Sequence, residues 1–353
     1  MRETLLDIIQ NMPKVELHRH LEGSMRIDTL LDIAHTYDRE LADMSLEELR
    51  PHVQMVPGQA LSSDVFLSKF RTLRQFYNSP ETIQRITREV VIDAALDNIK
   101  YMELRFTPRA LCNVIGCEYP HVMNWVCDTV AETAARYDIE VRLLVSMNRH
   151  EGEQIGNEVL DMALRYRDRG VVGIDLAGQE KGYSAKPFAP IFLRAKAEGL
   201  QTTAHAGEWM GAQSVLECVE QLQVNRIGHG IRAVEDNTIV AILADRGIIL
   251  ETCPTSNLHS GVVKDLEQHP LIDLHNAGVR TTINTDDPLI SNVTLTTELL
   301  DVMFTMKLSL DDIKQQTLNA MEGAFLPDDE RNAMVEKFNV WLEDVIHTQE
   351  TDD

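Results

Sequence analysis

No run of apolar residues in this 353-residue chain approaches the ~20 that span a membrane, which excludes an integral membrane helix. Met1 to Gln10 interrupts its apolar residues with Glu3 and Asp7, so it lacks the unbroken core of a secretory leader. Cysteine is scarce. The five residues (Cys112, Cys117, Cys127, Cys218, Cys253) are odd in number and contain no Cys-x-x-Cys pair, which excludes a disulfide framework and a cysteine-built zinc site. A reducing, cytoplasmic location is expected. Basic residues are also few: 33 Lys and Arg face 56 Asp and Glu, leaving a net charge of −23. That field repels nucleic acid and anionic membranes, so neither partner is expected; the excess acid serves solubility. There is no low-complexity linker and no repeat beyond a strand–helix rhythm.

What is present is that rhythm. Hydrophobic residues make up 44% of the chain, ordinary for a globular protein, and the length suits one large α/β barrel as well as two domains. From about residue 80, stripes at helical spacing such as Ile83, Ile86, Val90 and Ala94 alternate with short buried runs. Helices are predicted over Val122 to Tyr137, Ile155 to Arg167, Pro190 to Ala197, Asp236 to about Gly247 and Pro270 to Asn276. Eight strands are predicted to start near residues 14, 101, 141, 172, 201, 226, 248 and 280. Strands alternating with helices imply parallel pairing. Eight of them imply an α/β fold closed into a (β/α)8 TIM barrel, with residues 1–353 as a single domain. An open doubly wound sheet gathers its ligand at one switch point and poorly explains site residues spread from the first strand to the last. Residues 26–79 carry helix-like stretches (Ile27 to Tyr37, Ser45 to Leu49, Asp64 to Phe76) and no clear strand. They are expected to form a helical insertion after the first strand, either a lid over the barrel mouth or a packing insertion. Leu310 to His347 is predicted to be helical cover on the outside, and Thr348 to Asp353 a frayed end.

Metal-type residues follow several of the strands. His18 and His20 are two apart on an extended segment, so both rings point to one side. His205 opens His-Ala-Gly-Glu, with Glu208 three positions on; His229 sits between Gly228 and Gly230; Asp286-Asp287 precedes Pro288. Each has a bland reading alone: a solvated turn, an acidic first helical turn, an Asp-Pro turn. Placed at the ends of strands in one closed sheet, they converge on the carboxyl-terminal mouth, where barrels keep their chemistry. The combination points to a metal-dependent hydrolytic enzyme. Imidazoles suit zinc. A glutamate beside metal-bound water serves as proton donor or acceptor. Two adjacent carboxylates repel unless a cation or donor satisfies them, so one binds the metal and its neighbour faces substrate. Glycines around His229 mark close backbone approach. His35, His52, His121 and His347 lie among polar neighbours and are expected at the surface; nothing assigns His150, His259, His269 or His275 a part.

Six motifs together resemble the adenosine deaminase family of metal-dependent amidohydrolases: His18 to Ser24, Asp175 to Gly178, His205 to Glu208, Ile227 to Gly230, Cys253 to Asn257 and Asn284 to Pro288. The resemblance runs in order from about residue 10 to residue 340. It implies one Zn2+ per chain held by His18, His20, His205 and Asp286. It implies catalytic parts for Glu208 at the purine N1, for His229 at the attacking water and for Asp287 at N7. Gly178 would face N3 through its N–H, Glu22 would lie near the ribose hydroxyls where the family often has aspartate, and Phe66, Leu67 and Phe70 would form an apolar lid. The implied reaction is hydrolytic deamination of a small-molecule purine nucleoside, adenosine or 2′-deoxyadenosine, to the inosine product and ammonia. For a glutamate to donate to N1 at neutral pH, an apolar pocket must raise its pKa; His229 would take the water's proton and orient it.

Other readings remain open. Adenine, aminodeoxyfutalosine or a 5′-modified adenosine would use the same catalytic residues and differ at the ribose end. A binuclear amidohydrolase often needs a lysine ending the fourth strand, where this chain has Asp175-Leu176-Ala177-Gly178. A structural zinc protein would leave the neighbouring acid and base groups without purpose. The oligomeric state is not legible.

Overall fold

The computed structural model describes residues 2–37, 41 and 43–350, and the side chains of 5–37, 41 and 43–345. Eight parallel strands pair in chain order: β1 (Lys14–His20), β2 (Ile99–Phe106), β3 (Glu140–Asn148), β4 (Val171–Ala177), β5 (Gln201–Ala206), β6 (Arg226–His229), β7 (Ile249–Thr252) and β8 (Arg280–Ile283). Beyond β8 the chain runs on to meet β1. The Asp286 N–H donates to His18 O (3.0 Å), the His20 N–H donates to Asp286 O (2.8 Å), and the Leu17 N–H donates to Asn284 Oδ1 (2.9 Å). The sheet is thereby drawn into a (β/α)8 barrel, as the alternation predicted. The largest error in strand start is at β2, expected near 101 and found from Ile99. Helices cover the sheet outside and side chains fill it inside, so strands such as β4 (VVGIDLA) are almost wholly buried.

Helix ends departed further from expectation. The helix predicted from Val122 runs Tyr119–Ala134, because Pro120 starts it in the first turn, ahead of the apolar stripe. A helix at Pro108–Ile115, stopped by Gly116 at φ 76°, had not been expected. The C-terminal stretch is two helices, Leu310–Glu322 and Asp328–Glu350; the first ends against Gly323, and Pro327, whose C=O accepts the Arg331 N–H (2.8 Å), opens the second. The second continues through the residues expected to fray as far as Glu350; residues 351–353 and the His347 side chain lie outside the described set.

Within 26–79 the described residues form helices Ile27–Thr36, Leu46–Val53 and Ser63–Leu73, then a 3-10 turn, Arg74–Phe76, and no strand. Ser45 caps the second helix in a reciprocal box with Glu48, and Ser62 caps the third. Lys69 ties the third to the second by donating to Pro51 O (2.5 Å) and Gln59 Oε1 (3.1 Å). Tyr77 donates to Leu21 O (2.8 Å), fixing the insertion's end beside the turn that leaves β1. Among the described residues no helix is long and apolar enough to cross a membrane.

Candidate active site

His18 and His20 leave β1 toward the barrel mouth, His205 lies on β5, and Asp286 follows β8. Asp286 adopts a left-handed backbone at φ 61°, as does His229 at φ 60°. These conformations cost energy away from glycine and turn both side chains at the ends of their strands. His18 Nε2 and His20 Nε2 each lie 3.3 Å from Asp286 Oδ1, and His20 Nε2 lies 3.2 Å from His205 Nε2. One ligand atom from each of His18, His20, His205 and Asp286 falls within 4.8 Å of all the others. His18 Nε2 is buried and makes no hydrogen bond. Three imidazole nitrogens and a carboxylate oxygen form a donor set that zinc accepts, and the orphaned nitrogen fits a cation better than an empty core. A second grouping, His18, His229, Cys253 and Asp286, shares two of these residues. It fits less well: burial and the nearby Asp286 charge push the Cys253 thiol well above its usual range, holding it protonated.

Beneath the cluster lies a buried charged layer. Glu251 Oε2 stands 2.8 Å from His18 Nδ1, and Asp175 Oδ1 stands 3.0 Å from His205 Nδ1. Each carboxylate holds the imidazole by its far nitrogen, so Nε2 faces the cluster. Burial alone would raise both carboxyls, but charged neighbours outweigh it and hold both below the usual range: Arg105 and Arg226 at Glu251, His205 and Arg105 at Asp175. Arg105 reaches Glu251 Oε2 at 2.8 Å, and Arg226 reaches its other oxygen at 2.6 Å while pairing with Glu103. Glycine lets the layers close: a Cβ on Gly228 would sit 2.9 Å from His18 Cε1, and one on Gly23 only 1.8 Å from Asp287 Oδ1.

Two carboxyls at the mouth are pushed the other way. Glu208 is raised well above the ordinary glutamate range by burial first, then by the Asp286 and Glu180 charges. Asp287 is raised by burial and by Asp286, Glu22 and Glu208; its Oδ1 is buried without a partner. Both therefore favour the protonated, donating form. A chain of hydrogen bonds sets the state of His229. The Leu271 N–H donates to His269 Nδ1 (3.2 Å), so His269 carries its proton on Nε2 and donates to Asn257 Oδ1 (3.1 Å). The Asn257 amide then donates to His229 Nδ1 (3.1 Å). Burial lowers His269 to about 3 and takes His229 well below its ordinary value, so both are neutral. His229 thus presents Nε2–H to the mouth, 3.6 Å from Glu208 Oε2 and 4.0 Å from Asp286 Oδ2.

These groups open on a cavity of about 220 Å³ that every sequence-predicted substrate contact lines: Gly178, Glu22, Asp287, Phe66, Leu67 and Phe70. His20, His205, Glu208, His229 and Asp286 line it too; His18 lies behind them, fully buried. Glu22 accepts the Thr107 N–H (2.8 Å) through one oxygen and has no partner on the other. A larger hollow of about 620 Å³, lined by Leu6, Arg26, Asp93 and Leu96 on the outside of the barrel, contains none of this machinery. His35, His52 and His121 are exposed as expected, and His150 borders the cavity. Sequence reasoning missed Glu180. Its buried carboxylate accepts from the N–H groups of Gly207 (2.7 Å), Trp209 (2.7 Å) and Met210 (2.9 Å) and from the Ser214 hydroxyl (2.5 Å). It also missed Glu251 and the His269–Asn257 relay. The one signal for Glu180 was its place just past the Asp175-to-Gly178 motif.

A closed parallel barrel whose mouth gathers imidazoles and carboxylates from its first, fifth, sixth and eighth strands defines an amidohydrolase-type enzyme. Known proteins agree. A family model described as adenosine deaminase matches residues 13–341. An adenosine deaminase from Erwinia tasmaniensis is 36% identical over 328 residues, 93% of this chain and 98% of that one. A zinc-bound amidohydrolase structure from Burkholderia ambifaria superposes with TM-score 0.88 at 26% identity, covering 98% of this chain and 94% of that one. The N6-methyl-AMP deaminase of Arabidopsis thaliana superposes with TM-score 0.83 at 29% identity, covering 95% and 98%. The chain belongs to the adenosine deaminase family and is a hydrolytic deaminase.

Proposed function

We propose that the enzyme converts adenosine and 2′-deoxyadenosine to inosine and 2′-deoxyinosine with release of ammonia, using one zinc ion held by His18, His20, His205 and Asp286. The observation that carries the reading is the meeting, in one cavity, of that four-residue cluster with two buried carboxyls that favour protonation, Glu208 and Asp287. A 6-aminopurine presents ring nitrogens as acceptors. An ionised carboxylate would repel them and a protonated one addresses them. Glu208 donates to N1, Asp287 to N7 and the Gly178 N–H to N3; Glu22 lies at the sugar. Zinc, when bound, supplies a water whose pKa falls toward ~7. Glu208 gives its proton to N1 as oxygen bonds to C6. In the tautomer that the Asn257 relay favours, His229 orients that oxygen through Nε2–H. Asp286 Oδ2, which accepts from Ser256 Oγ (2.7 Å), takes the water's proton. It passes to the leaving amine, and as ammonia departs the proton of the new C6 hydroxyl returns to Glu208, leaving the 6-keto product protonated at N1.

The chain acts as one catalytic domain, 1–353, in which 26–79 serves as the lid, with Phe66, Leu67 and Phe70 excluding water over the purine. The five free cysteines favour a reducing, cytoplasmic setting. A second reading, another 6-aminopurine, is favoured by the fold match to an N6-methyl-AMP deaminase. It keeps the same catalytic residues and changes the sugar end, and in that neighbour's substrate the leaving amine as well. The test is zinc quantification followed by ammonia release from adenosine, 2′-deoxyadenosine, adenine and 5′-modified adenosines. One zinc per chain and turnover of adenosine are expected. A zinc-loaded protein that leaves adenosine untouched rejects the first reading, and a zinc content near two reopens binuclear chemistry.

A further inference from the structure

On its lid side the cavity is lined by a cation that makes no side-chain hydrogen bond or ion pair among the described residues. Among the described residues lining it, Arg74 is the one lysine or arginine, set in a protein of net charge −23. Among the described residues its Nε is buried without a hydrogen-bond partner, and no ion pair holds its guanidinium. The group lies 5.7 Å from the centre of the Phe70 ring, which supports one face and leaves its edge of donors free. Its backbone is fixed: Arg74 opens the 3-10 turn that ends at Phe76, and Phe76 and Tyr77 are both buried, with Tyr77 bonded to Leu21 O. A second donor, Trp209 Nε1–H, also lines the cavity, buried and unpaired. Unpaired donors are costly to bury, and a guanidinium is the side chain best shaped to grip phosphate or carboxylate oxygens.

Arg74 stands at the sugar end. Three residues on, Tyr77 bonds to Leu21 O, so the turn that carries Arg74 is tied down next to Glu22, the residue assigned to the sugar, and Arg74, Glu22 and His150 line the cavity together. We propose that Arg74 selects 6-aminopurine nucleosides carrying an anionic group, phosphate or carboxylate, on the 5′ side of the sugar. This rests on the deamination reading and adds to it what the sugar carries. Glu22, deprived of a partner on one oxygen, binds a sugar hydroxyl alongside, and Arg74 keeps the incoming anion from being repelled by it.

The experiment compares kcat/KM for adenosine, adenosine 5′-monophosphate and adenosine 5′-carboxylic acid, with zinc-loaded wild-type enzyme and the variants Arg74→Met and Arg74→Lys. Wild type is expected to favour at least one anionic substrate over adenosine by about tenfold or more. The ratio should collapse by about ten- to a hundredfold in Arg74→Met, the loss a charge-assisted contact carries, chiefly through KM, and recover in part in Arg74→Lys. The phosphate and carboxylate arms identify the anion. A wild-type enzyme that prefers adenosine to both anions, or a ratio unmoved by Arg74→Met, overturns the proposal while adenosine turnover leaves the deamination reading intact. Absence of turnover on all three substrates overturns both.

Discussion

Glu180 offers the sharpest test of how the mouth is held. Its carboxylate gathers three backbone N–H groups and one hydroxyl from residues 207–214, the segment that carries Glu208. Replacing it with glutamine keeps the shape and turns one oxygen into an NH2 group. If that NH2 takes the place of Oε2, two backbone donors, at Trp209 and Met210, lose their acceptor. If it takes the place of Oε1, the Ser214 hydroxyl rotates to accept and one donor, the Gly207 N–H, is left over. Each buried donor left unpaired costs about 1–3 kcal/mol, so Glu180→Gln should destabilise the fold by about 2–5 kcal/mol once the lost charge assistance is included. Function should suffer separately. Gly207 and Trp209 flank Glu208, and a displacement of about 1 Å at a reacting group costs up to about a hundredfold in rate. Removing the Glu180 charge also removes one of the influences that keep Glu208 protonated. The alkaline limb of the rate profile should therefore move to lower pH. The assay is ammonia release from adenosine across pH 5 to 9, beside urea unfolding of the same preparation. A Glu180→Gln enzyme with unchanged unfolding midpoint, turnover and alkaline limb would refute the reasoning.

Other outcomes follow from the same geometry. Glu208→Gln should retain its zinc, measured by elemental analysis, and lose most turnover, because an amide has no acidic proton for N1; retained activity would remove Glu208 as the acid. Asp286→Ala should lose both zinc and activity, since it deletes the oxygen that meets His18 and His20; an unchanged zinc content would strike it from the ligand set. Burial lifts Glu298 from an ordinary 4.5 to about 7, against the pull of Thr255, whose N–H it accepts at 2.8 Å. The folded protein therefore keeps a proton that the unfolded chain releases across that window. This stabilising contribution is complete below pH 4.5 and lost as pH rises through 7, by at most about 3 kcal/mol. Glu298→Gln should consequently be more stable than wild type at pH 8 and nearly equal at pH 4.5 in urea titrations; a difference independent of pH would be inconsistent with a protonated Glu298.

How much of this was legible beforehand depended on distance along the chain. The strand starts were readable because a buried parallel strand is a short apolar run between turn signals, a property of neighbouring residues. His18, His20, His205, Glu208, His229, Asp286 and Asp287 were legible because each directly ends or follows such a run. Helix ends were less so: Pro120 and Pro327 set boundaries that apolar stripes blur. Glu180, Glu251 and His269 were not legible at all. Each looks like an ordinary polar residue until a distant partner arrives, such as Asn257, 12 positions from His269, or His18, 233 positions from Glu251.

The order of residues alone thus determined that an alternating α/β chain would close into a barrel and that its metal-type side chains would stand at strand ends. Only the tertiary structure decided their chemical states. Burial removed the water that would keep Glu208 and Asp287 ionised, while His205 and Arg105 kept Asp175 charged and Arg105 and Arg226 kept Glu251 charged. A backbone N–H at Leu271, relayed through His269 and Asn257, chose the nitrogen on which His229 carries its proton. Protonation depends on which groups surround a side chain in space, and that arrangement exists only after the strands have closed on one another.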